Sequence, residues 1–127
     1  MGAALYGGRW NSIGIEVVYT SSHISLAILE ILVNSTTLPE DYVLTRIEIP
    51  DDLIRSPYEA DELLLSDLAI SRPLGDAWAR TKLSAVFSVP SSIVPAERNF
   101  LLNPNHPEFQ AIKFKEPVPF RFDPRLK

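Results

Sequence analysis

Four polar side chains stand where the surrounding sequence does not require them, and they are the positions from which chemistry could be done. Arg9 lies in Gly7-Gly8-Arg9-Trp10-Asn11-Ser12-Ile13-Gly14, a turn-forming cluster whose glycines permit positive φ and close backbone approach. Tyr19 lies near the end of the run Glu16-Val17-Val18-Tyr19-Thr20, Glu30 is the lone charge in Ile24–Val33, and Ser91 follows Val89-Pro90. Each has a plain structural reading: a solvated turn arginine, a strand-edge tyrosine, a glutamate on a narrow wet sector, a turn-capping serine. Glu30 is the most demanding. A carboxylate flanked by Leu29, Ile31 and Leu32 must reach water or be held in a pocket, because burying an unpaired charge is costly.

Composition removes several other chemistries. The chain has no cysteine, so a thiolate nucleophile, a disulfide framework and a Cys-type zinc site are excluded. His23 and His106 lie far apart and have no helical-spacing partner; they read as a residue capping a helix and a loop residue, and no metal site is expected. Asp51-Asp52 with Asp61-Glu62 reads as a solvated face. Gly7-Gly8 runs into Arg9-Trp10 instead of a further spaced glycine and a lysine, which sets aside Rossmann and P-loop enzymes. With 12 basic and 16 acidic residues the net charge is -4, the wrong sign for unaided binding to nucleic acid. The N-terminus lacks a basic, then apolar, leader, and no run of ~18 apolar residues occurs. A cytoplasmic protein with no membrane partner is expected.

The elements that must position these residues can be read from hydrophobic patterning. A length of 127 residues predicts one domain. Glu16–Thr20 predicts a strand covered on both faces. Ile24–Val33 predicts a buried helix capped by Ser22 and ending near Asn34-Ser35. Tyr42–Ile49 predicts a second strand closed by Pro50, and residues 51–70 a loop followed by a short helix. Around Arg72–Arg80 the sequence predicts an amphipathic helix, with Pro73 in its first turn and Leu74, Ala77 and Trp78 on one face. Ala85–Val89 and Asn99–Pro104 predict two more strands, His106–Lys113 a helical turn or two, and Val118, Phe120 and Phe122 a last strand. Seven of the eleven prolines lie between Pro90 and Pro124, so short elements and turns are expected there. The mixture predicts an α+β fold of short mixed sheets with packed helices.

Taken in order, Gly7-Gly8-Arg9-Trp10-Asn11-Ser12, Val18-Tyr19-Thr20, Leu29-Glu30, Val89-Pro90-Ser91 and Asn99-Phe100-Leu101-Leu102-Asn103-Pro104 with His106-Pro107 resemble the RES-domain family. Its name comes from Arg, Glu and Ser, and it is the toxin half of bacterial toxin–antitoxin pairs. The resemblance runs from Gly7 to about Phe114. It implies a compact fold similar to ADP-ribosyltransferase toxins and an activity that consumes NAD as substrate, without a metal. By carry-over, Arg9, Glu30 and Ser91 are the catalytic candidates, and Arg9, Asn11, Tyr19, Glu30 and Ser91 line the NAD site, with Ser92 the alternative to Ser91. Family members usually carry a further N-terminal strand where only eight residues precede Arg9 here, and often have proline where this chain has Ile13.

These residue types suit that reaction. Breaking the nicotinamide–ribose bond builds positive charge on the sugar, which the Glu30 carboxylate can stabilise. The Arg9 guanidinium can clamp the pyrophosphate, the Tyr19 ring can stack on nicotinamide, and Ser91 can bond the carboxamide or a ribose hydroxyl. Nicotinamide departs neutral, so no strong general acid is needed. The leading expectation is an NAD-consuming toxin using water or phosphate as acceptor, restrained by a helix-turn-helix antitoxin that supplies the DNA contact. Transfer of ADP-ribose to a protein is the second reading, and a catalytically silent interaction domain the third. A homo-oligomer is left open, as is a place in the pocket for Tyr58, Arg72 or Asn99.

Overall fold

The computed structural model describes residues 7–56 and 67–127. Tyr58, Asp61, Glu62 and Leu63–Leu65 lie outside the described residues. The elements run β1 (Val18–Ser21), α1 (Ile24–Val33), β2 (Tyr42–Leu44), β3 (Ile47–Glu48), β4 (Ile54–Arg55), α2 (Leu68–Thr81), β5 (Val86–Pro90), β6 (Arg98–Leu102), β7 (Lys113–Phe114) and β8 (Val118–Phe120). Three short 3-10 turns, Asp51–Leu53, Pro107–Ala111 and Pro124–Leu126, connect or close them. The fold is α+β. Its centre is a four-stranded sheet in the order β1-β6-β5-β4, flanked by the two-stranded ribbons β2-β8 and β3-β7. Within the sheet β1, β6 and β5 are antiparallel neighbours and β4 joins β5 in parallel.

Alternation along the strands gives the sheet two apolar faces, each with its own cover. On one face Phe87, Val89 and Leu101 pack with Trp10 and Val17 from the glycine-rich loop and β1 approach, and with Trp78 and Ala79 of α2. Trp78 is wholly buried, and its indole N–H donates to Ser84 Oγ at 2.9 Å, so its one polar atom is satisfied. The other face gathers Leu53, Val86, Leu102 and Ile112 with partly buried Ile47, Ile54 and Phe109 from the ribbon side. Asn103, at the end of β6, is buried and donates to Ala79 O at 3.0 Å, while its Oδ1 accepts from Asn105 N. The Leu-Asn-Pro segment is therefore a joint between sheet and α2.

Several sequence expectations change. Helix α1 has the expected bounds, and Asn34 and Ser35 donate side-chain hydrogen bonds to the carbonyls of Glu30 and Ile31. It is not a buried helix, since Leu26 and Leu32 are its buried residues and Val33 is 63% exposed. The helix is covered along one side, through Leu26 and Leu32. Ser22 is not its cap: the cap position is His23, which makes no side-chain capping bond, and Ser22 Oγ pairs with His23 Nδ1. His106, read as a loop residue, does cap, accepting from Glu108 N at 3.0 Å. β1 is half covered, with Tyr19 40% exposed, because an edge strand has a neighbour on one side.

The predicted Tyr42–Ile49 strand is two strands. After Leu44 the chain leaves one ribbon and enters the other at Ile47, a change of partner that alternation cannot encode. Helix α2 starts earlier than expected, at Leu68, with Asp67 as N-cap accepting from Ala69 N. Pro73 therefore sits inside the helix, on its exposed side. Ala77 is exposed; Ser71, Gly75, Asp76, Trp78 and Ala79 form the buried face.

Candidate active site

The glycine-rich loop is held by successive side chains of one face of α2. Ser71 Oγ donates to Arg9 O, and Arg72 Nε donates to Gly8 O at 2.7 Å. Both Asp76 oxygens are used by one residue, accepting from Ser12 N at 2.8 Å and from Ser12 Oγ. Between them Gly75 lets the backbone of Trp10 touch the helix: a Cβ there would stand 1.7 Å from Trp10 O. Loop and helix are thus one unit, and Arg9 is carried on a fixed backbone.

Tyr19 meets this unit from β1. Its hydroxyl donates to Asn11 Oδ1 and accepts from Trp10 N at 3.1 Å. Gly8 is needed beside it, because a Cβ would come within 2.6 Å of the phenolic oxygen. Asn11 is fully buried and its amide donates to Ile15 O at 2.9 Å, which folds the loop back on itself. The ring of Tyr19 is solvent-facing while its hydroxyl is tucked under the loop. That desolvation raises the phenol above its ordinary value, offset in part by the hydrogen bond from Trp10 and by the positive charges of Arg72 and Arg9 nearby.

One step along the same face of β1, Ser21 pairs with Asn99 of β6, and Ser21 Oγ donates to Asn99 Oδ1 at 3.0 Å. Asn99 Nδ2 donates in turn to Glu30 Oε1 at 3.0 Å. Ser91 Oγ donates to the same carboxylate oxygen at 2.8 Å. Ser91, 2% exposed, follows β5, and its hydroxyl oxygen accepts from Ile93 N and Val94 N at 3.1 Å each. Those two donors leave the hydroxyl proton one direction, toward Glu30. Ser92 is exposed, so the serine that meets the acid is Ser91. No buried side-chain oxygen or nitrogen among the described residues lacks a partner, and both hydrogen bonds to the carboxylate end on Oε1, not Oε2. The half-buried acid therefore has one oxygen fixed by two donors and the other open to solvent.

The structure brings Glu30 and Ser91 into direct contact, adds Asn99, and brings Arg9, Asn11 and Tyr19 together with Arg72. The two groups are neighbours on one sheet face: Tyr19 and Ser21 are two residues apart on β1, roughly 7 Å along a strand. Sequence reasoning missed Ser71, Gly75 and Asp76. Their spacing along α2 is the signal, but it has meaning only with the loop docked on it. An apolar cleft of about 700 Å³ between α1, β1 and the β2-β8 ribbon includes Tyr19 in its lining but not Arg9, Asn11, Glu30 or Ser91, so the polar constellation is not defined by that cavity. Among the described residues no group of three metal-ligating side chains converges, and no helix is long and apolar enough to cross a membrane.

The RES domain model matches residues 1–123. This chain belongs to the RES-domain family. A RES-domain relative from Yersinia enterocolitica, named Toxin Res, is 42% identical over 99% of this chain and 88% of its own length. A Sphingobium protein named Prs ADP-ribosylating toxin is 38% identical over 98% of this chain and 83% of its own. A Toxin Res from Pseudomonas putida is 34% identical over 90% of this chain and 82% of its own. The resemblance read from the motifs is thereby established, and with it membership of a bacterial toxin family of toxin–antitoxin systems.

Proposed function

We propose that this RES domain cleaves the nicotinamide–ribose bond of NAD, with water or phosphate as acceptor. The observation that carries the reading is the Glu30 carboxylate, held through Oε1 by Ser91 and Asn99 and open at Oε2. As the C–N bond breaks, its electron pair leaves with nicotinamide and positive charge develops at the anomeric carbon. A carboxylate fixed beside it lowers the energy of that state without reorganising at the moment of reaction. Water or phosphate then bonds the anomeric carbon, and a water acceptor releases its proton to solvent. Ser91 and Asn99 are positioning residues, acting through Glu30. Arg9 faces the pyrophosphate, the exposed ring of Tyr19 stacks on nicotinamide, and Asn11 shapes the loop that carries Arg9.

Glu30→Gln tests this, since it keeps the shape and an acceptor oxygen but removes the charge. Nicotinamide release from NAD is expected to fall on the order of 10²-fold or more with the thermal midpoint nearly unchanged; wild-type turnover would remove Glu30 from the chemistry. The second reading, transfer of ADP-ribose to a protein, draws support from the name of the Sphingobium relative. Labelled NAD in a cell extract separates the two: a labelled protein band means transfer, while free ADP-ribose, or ADP-ribose carrying a phosphate on its anomeric carbon, with no labelled protein means water or phosphate is the acceptor. A helix-turn-helix antitoxin is the proposed partner, consistent with the family and with a net charge of -4 that leaves DNA contact to another chain.

A further inference from the structure

Arg72 holds the glycine-rich loop through one nitrogen of its guanidinium. It sits on α2 with its Nε bonded to Gly8 O, beside Ser71, which bonds the next carbonyl, that of Arg9. The two arginines are therefore brought to one short stretch of backbone, Arg9 by chain continuity and Arg72 by the helix. Gly8 is also the residue that abuts the Tyr19 hydroxyl, so Arg72 and Tyr19 both reach the residue that precedes Arg9. The nearest acid on α2, Asp76, has both oxygens occupied by Ser12 and does not pair with Arg72. Among the described residues Arg72 is in no salt bridge, and its one hydrogen bond uses Nε. The fork of terminal nitrogens is left over.

We infer that Arg72 is a second anion-binding residue of this site, and that its guanidinium and that of Arg9 together receive a diphosphate group, the bridging pyrophosphate of the dinucleotide. This rests on the NAD reading for the identity of the substrate but not for the anion site. Two planar guanidinia can each present paired N–H donors to phosphate oxygens, which a single arginine cannot do for both phosphates at once. The two positive charges also act on Tyr19, where Arg72 lowers the phenol's proton affinity more than Arg9 does. The position makes Arg72 a specificity residue. It favours a dinucleotide over a nicotinamide nucleoside or mononucleotide, which have no pyrophosphate.

The test is titration calorimetry of the whole protein with inorganic pyrophosphate, with Arg72→Gln as the main variant. Glutamine places its amide nitrogen at the chain position of arginine Nε, so the donor to Gly8 O is kept while the charge and the terminal fork are removed. Wild type is expected to bind pyrophosphate, and Arg72→Gln and Arg9→Gln each to bind it about tenfold or more weakly. Arg72→Lys, which keeps the charge but not the fork, is expected to fall between wild type and Arg72→Gln, and serves if the glutamine variant does not fold. Absence of pyrophosphate binding by wild type, or wild-type affinity in the folded Arg72 variants, overturns the inference. Arg72-dependent pyrophosphate binding in a protein that releases no nicotinamide would support the anion site and defeat the NAD-cleavage reading instead.

Discussion

Gly75→Ala sets two physical effects against each other, and the structure says which wins. Alanine is the better helix former by about 0.8–1.0 kcal/mol in a helix interior, so from propensity α2 should gain stability. Against this, the added methyl would lie 1.7 Å from Trp10 O and 2.7 Å from Trp10 C. Restoring a 3.4 Å separation requires the carbonyl to retreat by about 1.7 Å. The loop cannot yield freely, because Ser71, Arg72 and Asp76 bind Arg9, Gly8 and Ser12 on either side of that contact. Overpacking costs typically ~1–3 kcal/mol, and each hydrogen bond broken by the retreat costs ~0.5–1.5 kcal/mol more. Net destabilisation of about 2 kcal/mol or more is expected, lowering Tm by roughly 5–10 °C. Thermal unfolding followed by circular dichroism reads this directly, and nicotinamide release should fall as Arg9 moves with its loop. A midpoint equal to or above wild type would refute the loop–helix docking on which the placement of Arg9 depends.

Other substitutions address the remaining parts of the site. Ser91→Ala removes a donor to Glu30 and the acceptor for two backbone N–H groups, so stability should fall by ~1–3 kcal/mol and NAD turnover should drop with it, while Ser92→Ala leaves both near wild type. Equal effects at the two serines in denaturant melts and turnover assays would contradict this assignment. Tyr19 supplies a pH test. Its folded-state pKa is raised by desolvation, so its contribution to stability is whole below the unfolded value of about 10 and is lost as pH rises through the folded value. Melts across that alkaline range should decline less steeply in Tyr19→Phe, which also starts less stable because Asn11 Oδ1 and Trp10 N lose their partner. An identical decline in both proteins would show the phenol to be unperturbed.

Much of the protein is legible in its sequence. The glycine-rich loop, the bounds of α1, the strands at 86–90 and 98–102 and the unusual Glu30 follow from local rules: turn chemistry, helix formers in a row, β-branched runs stopped by proline. The choice of Arg9, Tyr19, Glu30 and Ser91 came from the order of short motifs, which preserve residue types and spacing but not distance. What that order could not carry was contact between residues remote along the chain. The 2.8 Å bond from Ser91 to Glu30 links positions 61 apart, and the grip of Asp76 on Ser12 spans 64. No local pattern distinguishes Asp76 from a solvated helical aspartate, or Gly75 from a weak spot in a helix, until the loop is laid against them. The same holds for Tyr42–Ile49, where polar and apolar residues interleave along one run but hydrogen-bonding partners change after Leu44. Chain composition and periodicity report what each segment prefers; which acid is fixed and which oxygen stays open depends on long-range packing, because only packing decides whose donors reach whose acceptors.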